Sequence, residues 1–384
     1  MLQAATGGDP PAFLEAWKEL EGGVFRRSLV HPDPLPPEVD VAPFLVDLGR
    51  SQRGPLSKGK TEAPLTRPIA SGDLTFFDLE TTGLSGGAGT IAFLATLGRS
   101  RGGDFVLEQY FLRDYPGETS FIEALLAGLG TGPLLASHNG RAFDWPLLRT
   151  RCVMLGRRLP EPRLHLDFLK TARRLWKSAL GGANLTLLEE GLLGKRREGD
   201  IPGERIPDIW FDFVRAGDHA EMGAVISHNA EDVLGLAALV GLASRVFERP
   251  LEAAAAGSLD LPMLGRVLEA LDRADEAFAV FGLAAERGDW RAALALARGL
   301  RRRGRAVEAR RALALAGERY EALMEEARLA ETTEGDLAAA LDAARRAVKL
   351  APGDESLAKA LSRERRLGLR IAAASRARPA RRRS

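Results

Sequence analysis

Cysteine is almost absent from this 384-residue chain, in which Cys152 stands alone. A single thiol excludes an intramolecular disulfide and any zinc site built from several cysteines, and it fits a reducing compartment. Long apolar runs are missing too. No stretch approaches the roughly 18 residues needed to cross a bilayer, and the start, MLQAATGGDPPAFLEAW, lacks a basic segment followed by an apolar one. The expected location is the cytoplasm, with no membrane partner. Charge of one sign is also lacking, since the formal net charge is +2. That balance hides an asymmetry: residues 363–384 carry nine Arg and one Glu, which leaves the remainder at −6. Such a tail either eases the approach to phosphate by releasing counterions or is a solvated end, and composition leaves both readings open.

What is present reads as ordinary globular protein, 45% hydrophobic and 28% charged, long enough for two or three domains. Residues 1–71 hold one short helical pattern around Phe13 to Leu20, then Pro32, Pro34, Pro36 and Pro37, and a polar stretch ending at Pro64 and Pro68. They read as a Pro-rich, partly disordered leader. The runs LTFFDLE, IAFLATLGR and FVLEQYFLR then predict three antiparallel strands. Helical patterns at 118–129 and 143–155 alternate with short strands at PLLAS and 163–168, and further helices run to 247. The fold class is therefore α/β, a mixed sheet flanked by helices over residues 72–247. Residues 255–362 are rich in Ala, Leu, Arg and Glu with helical periodicity, and YEALMEEARLAETTEGDLAAALDAARRAVKLAPGD reads as a tetratricopeptide-type helix pair or as a generic helical domain.

The chemistry sits on acids. In FFDLETTGL, Asp78 and Glu80 lie two apart at a strand end and leave it on one face. Holding two anions together is favourable mainly when a divalent cation supplies the opposite charge; an acidic strand end facing solvent is the bland alternative. In ASHNGRAFDWPLL, Asp144 precedes an apolar helix, where it is either a ligand or a cap. In VISHNAEDVLGLAALV, His228 and Asp232 are four apart and share one face of an apolar helix.

Together these segments resemble the three motifs of the DEDD, DnaQ-like exonucleases of the ribonuclease H-like superfamily, over roughly residues 72–247. DLETTGLSGGAGTIAFL, HLDFLKTARRLWK, GDIPGERIP and SHNAEDVLGLAAL bring the chain closer to the prokaryotic YprB-like ribonuclease H-like group, whose members often carry tetratricopeptide-like helices afterwards. One departure stands out. The histidine precedes its Asp by four residues, the spacing of the tyrosine subgroup, rather than by five.

The resemblance implies a divalent-metal-dependent nuclease acting on DNA or RNA, a 3′–5′ exonuclease using two Mg²⁺ or Mn²⁺ ions held by Asp78, Glu80, Asp144 and Asp232, with His228 as base. Candidate substrate contacts are Thr81, Thr82 and Gly83 after the first strand, Asn139 at its turn, and Arg173 and Arg174 on a helix face. Gly86, Gly87 and Gly89 make the following turn permissive. Asp167 is a possible secondary ligand or a structural acid, and Lys195, Arg196 and Arg197 form either a phosphate grip or a charged loop. Trp176 and Trp210 are candidates for base stacking or for the core. The alternative function is a non-cleaving nucleic-acid-binding or protein-interaction scaffold, with a protein partner taken up by the helical repeats.

Overall fold

A computed structural model of the chain describes residues 12–48, 67–83 and 89–377. The chain divides into two compact units, residues 1–249 and 250–384.

Among its described residues the first unit has nine strands: β1 (Lys18–Glu19), β2 (Val24–Pro32), β3 (Glu38–Val39), β4 (Ile69–Ala70), β5 (Leu74–Thr81), β6 (Ala92–Arg101), β7 (Asp104–Leu112), β8 (Leu134–Ser137) and β9 (Leu164–Asp167). Seven form one sheet in the order β1-β2-β7-β6-β5-β8-β9, while β3 and β4 pair separately. β2, β7, β6 and β5 are antiparallel, as the sequence predicts for the last three; β8 and β9 join parallel to β5. In β5, Leu74, Phe76, Phe77 and Leu79 are all buried, the continuous apolar run expected of a strand covered on both faces.

Parallel pairing needs crossovers, and helices supply them. After the short α1 (Ala42–Leu45), α2 (Glu118–Leu129) links β7 to β8 and α3 (Asp144–Met154) links β8 to β9. α4 (Phe168–Leu175), α5 (Lys177–Leu180), α6 (Leu185–Leu188) and α7 (Ile206–Ala216) follow, and the 27-residue α8 (Met222–Glu248) packs across β5, β6 and β7. A Cβ on Gly98 of β6 would lie 2.7 Å from both Val233 and Phe105, so glycine there is what lets α8 sit close to the sheet. Trp210 stacks on Phe93 with centroids 5.1 Å apart, and Trp176 is buried beside Phe168; both tryptophans belong to the core rather than to a base-stacking surface.

The stretch expected to be a leader is folded wherever it is described. β2 pairs along its whole length with β7, from Val24↔Leu112 to Pro32↔Asp104. Its sequence, VFRRSLVHP, lacks clean apolar alternation because the pairing is polar: Arg26 binds Glu108 and Arg27 binds Gln109 across the ladder. Phe13 to Leu20 is a short 3-10 turn followed by β1, not a helix. Val39, Val41 and Phe44 are buried, and Phe44 meets Phe247 of α8 edge to face. Pro64 lies outside the described residues.

The second unit is all helical among its described residues: α9 (Pro250–Ala256), α10 (Leu261–Ala270), α11 (Ala274–Glu286), α12 (Trp290–Arg302), α13 (Ala306–Ala316), α14 (Tyr320–Leu329), α15 (Leu337–Lys349) and α16 (Asp354–Ala377). From α10 onward consecutive helices pack pairwise, and α10 with α12, α12 with α14 and α11 with α13 also touch, as in a two-layered tetratricopeptide-like array. Ala residues at the helix contacts, among them Ala340, Ala343 and Ala344, allow the close approach. Residues 363–377, expected as a separate tail, continue α16 because Leu367 is buried and Arg363, Arg366 and Arg370 are drawn to Glu331.

Candidate active site

Asp78 and Glu80 alternate with Phe77 and Leu79 on β5, so the acids leave one face while the apolar pair enters the core. A row of polar side chains crosses four strands to reach Asp78. Asp78 stands opposite Thr96, Thr96 opposite Gln109, and Gln109 opposite Arg27. Arg27 Nε donates to Gln109 Oε1 (2.8 Å), Gln109 Nε2 to Thr96 Oγ1 (2.9 Å), Thr96 Oγ1 to Asn229 Oδ1, and Asn229 Nδ2 to Asp78 Oδ2 (2.7 Å). Every donor points toward Asp78, so each bond polarises the next and the last one favours the ionised carboxylate.

That bond is opposed by everything else around the acid. Burial, then the charges of Asp232, Asp144 and Glu80, push the Asp78 carboxyl well above the usual carboxylate range. Glu80 is pushed up in the same way by burial, Asp232 and Asp144. Asp144, 6% exposed, is the first residue of α3 and is pushed up to about 7, chiefly by burial, with Asp167 and Asp232 adding to it. The helix boundary residue is Phe143, and no side chain caps this end. The structure thus brings four acids from three separate segments into one electrostatic field.

Asp232 is the acid with a cation at hand. Arg197, read from sequence as part of a phosphate grip or a charged loop, has a side chain only 2% exposed and reaches Asp232 Oδ1 with Nη1 at 2.6 Å. Its other edge is held by Glu189, which is fully buried and accepts from Nη2 (2.7 Å) and Nε (2.8 Å). A Cβ at position 235 would lie 1.7 Å from Glu189 Oε1, so the glycine in SHNAEDVLGL is the space that Glu189 occupies. One turn before Asp232, His228 Nδ1 lies 2.5 Å from Asp200 Oδ1, and Nε2 lies 3.7 Å from Asp232 Oδ2. With Nδ1–H donating to Asp200, the ring carries its lone pair on Nε2, toward the acids.

Sequence comparison bears on the same segment. The RNase_H_2 family, of the RNase_H superfamily, matches residues 75–244. Residues 75–244 are a ribonuclease H-like domain. This domain is homologous to the uncharacterized protein YprB of Bacillus subtilis (strain 168), 38% identical over 169 residues, which are 44% of this chain. The match spans 41% of that relative's length, under half of it.

Within the ribonuclease H-like domain the remaining candidates separate. Thr81 donates to the Gly83 carbonyl (2.9 Å) and the Thr82 hydroxyl accepts from Ile91 N (3.0 Å), which ties the end of β5 to the start of β6. Gly86 and Gly87 lie outside the described residues. Asn139 has φ +68°, a left-handed conformation Asn tolerates, and its N–H donates to Asp167 Oδ1 at 2.9 Å. Asp167 also accepts from Leu169 N at 3.2 Å, so its visible work is to cap α4 and hold the Asn139 turn. Arg173 is exposed, whereas Arg174 is half-buried next to Asp47, away from the role of a free phosphate grip. Asn229, Asp200 and Glu189 were not singled out by sequence reasoning as site residues, and Arg197 was weighed as a phosphate grip or a loop charge rather than as the partner of Asp232. Two signals were present, the Asn beside His228 in SHNAED and the Asp in GDIPGERIP, both inside segments that carry the family resemblance.

The donor chemistry of the ribonuclease H-like domain suits a hard divalent cation, since the gathered carboxylates supply oxygen ligands and an excess of negative charge. As placed, no three His, Cys, Asp or Glu side chains among the described residues converge closely enough to hold an ion.

Proposed function

We propose that the ribonuclease H-like domain hydrolyses phosphodiester bonds of DNA or RNA as a divalent-metal-dependent nuclease, a 3′–5′ exonuclease by its resemblance to the DEDD group. The observation that carries the reading is the gathering of Asp78, Glu80, Asp144 and Asp232 in one field with His228 beside them. Unbalanced negative charge at the place where phosphate must bind repels substrate unless a cation intervenes. Asp78, Glu80, Asp144 and Asp232 would hold two Mg²⁺ or Mn²⁺ ions, which when bound neutralise the phosphate and favour hydroxide over water.

The protein groups have distinct parts. Asn229 fixes the rotamer of Asp78. Asp200 fixes the tautomer of His228, leaving Nε2 to accept the proton of the attacking water. Glu189 fixes Arg197, and Arg197 fixes Asp232. Thr81, Thr82, Gly83, Asn139 and Arg173 are the candidates for contact with the substrate backbone. One observation favours a second reading. If Arg197 stays on Asp232 at all times, one ligand is permanently neutralised, and the domain holds nucleic acid without cutting it.

The test is incubation of end-labelled single-stranded DNA and RNA with Mg²⁺ or Mn²⁺, comparing the native chain with Asp78→Ala/Glu80→Ala. Metal-dependent shortening from the 3′ end that is absent from the variant is the expected result. Intact substrate under all conditions would leave the binding reading.

A further inference from the structure

Two carboxylates in the helical unit are buried under arginines. Glu325, on α14 and 1% exposed, faces Arg301 of α12 (2.6 Å), Arg328 of its own helix (3.2 Å) and Arg298 of α12 (3.6 Å). Glu331, just past α14 and 8% exposed, faces Arg370 (2.5 Å), Arg363 (2.8 Å) and Arg366 (2.8 Å) of α16. The three α16 arginines follow an i, i+3, i+7 pattern and share one helix face. Arg363 is held below its usual range chiefly by burial, and it feels Arg328 and Glu325 as well as Glu331, so the two groups are continuous. Tyr320 Oη, donating to the Ser356 carbonyl at 2.9 Å, ties α14 to α16 in the same layer.

Six guanidinium groups thus rest on two carboxylates across α12, α14 and α16. Two charges satisfy six only in part, and Arg298, Arg328, Arg366 and Arg370 keep 41%, 44%, 55% and 50% of their side chains exposed. Between α14 and α16, Arg328, Arg363 and Arg366 border an open groove of about 470 Å³, in which Lys359 is paired with Glu355. A buried carboxylate under each cluster holds the forks in place, so little rotamer freedom is lost when an anion arrives.

We infer that this ridge binds the phosphodiester backbone of a nucleic-acid strand. Guanidinium forks match phosphate oxygens in pairs, and a row running across three helices follows an extended polyanion. An acidic protein partner fits less well. Met324 and Ala358 are the apolar side chains bordering the groove, and neither they nor the arginines make the enclosed aromatic or aliphatic pocket that anchors a protein hot spot. The inference does not depend on cleavage, because it concerns the helical unit and is read without metal.

The test uses the full chain in chelator with a fluorescent 30-nucleotide single strand, and reads anisotropy over a series of salt concentrations. The triple variant Arg328→Gln/Arg366→Gln/Arg370→Gln is compared with Arg305→Gln/Arg311→Gln/Arg345→Gln, which removes three exposed charges associated with α13 and α15. Thermal melting confirms that both are folded, and a triple Lys variant at the ridge positions retains charge should the Gln variant unfold. The expected result is at least a tenfold loss of affinity for the ridge Gln variant alone, with a salt slope shallower by about 0.7 for each phosphate no longer neutralised, and a partial loss for the Lys variant. Equal losses in both Gln variants, no loss in the ridge variant, or tighter binding of polyglutamate than of the strand would each overturn it.

Discussion

At the scale of single residues, His228 and Asp200 carry the sharpest expectation. A base whose Nδ1–H is held by a carboxylate keeps its tautomer, and losing that carboxylate costs less than losing the ring. His228→Ala is expected to lower kcat for strand cleavage by about 10²-fold or more, and Asp200→Asn by about tenfold, both with KM for the strand little changed. Equal activity of Asp200→Asn and the native chain would remove Asp200 from the account. The acids themselves were legible in sequence because each sits in a short run whose neighbours declare strand end or helix face. Their partners were not. Asn229 and Asp78 are 151 positions apart, and the bond between them exists only because α8 lies on β5. Arg197 is an instance of the same limit: a basic loop and a buried counter-charge have the same letters, and only the position of Glu189 decides between them.

At the scale of elements, Gly235 in the interior of α8 is the feature whose reason became visible in the fold. Helix interiors disfavour glycine by about 1 kcal/mol relative to alanine, yet at Gly235 the missing Cβ makes room for Glu189. Gly235→Ala is therefore expected to destabilise, by about 1–3 kcal/mol, despite its better helix propensity, and to weaken cleavage through displacement of Arg197 from Asp232. Urea unfolding measures the first, and an increase in stability would show that Glu189 relaxes freely. The three-strand meander and the helices α2, α3 and α8 were readable from period and length. β2 was not, because its third and fourth residues are Arg26 and Arg27, whose partners Glu108 and Gln109 lie 82 positions away. Apolar alternation is the signal that sequence offers for a strand, and a polar ladder does not produce it.

For the molecule as a whole, the gathered acids make stability depend on pH in an unusual direction. Asp144 titrates from an ordinary 3.8 in the unfolded chain to about 7 in the folded one, and Asp78 and Glu80 are raised as well. The folded state then holds protons that the unfolded state has released, so their contribution is complete below the unfolded value and is lost as pH rises through the folded one. Without divalent cations, the melting temperature is expected to fall between about pH 4 and pH 7, and Asp144→Asn is expected to flatten that fall. A scan that is flat or rises over this range would contradict the raised carboxyl groups. Mg²⁺ is expected to raise the melting temperature more at the higher pH, where the carboxylates are ionised.

The most direct measurement is calorimetric titration of the native chain with Mn²⁺ above pH 7, beside Asp78→Asn and Asp144→Asn. The account predicts saturable binding to the native chain with release of protons, and loss of most of that heat in both variants while each remains folded. Binding of the same strength and stoichiometry in all three proteins would mean that the cluster of acids is not a cation site, and the nuclease reading would fall with it.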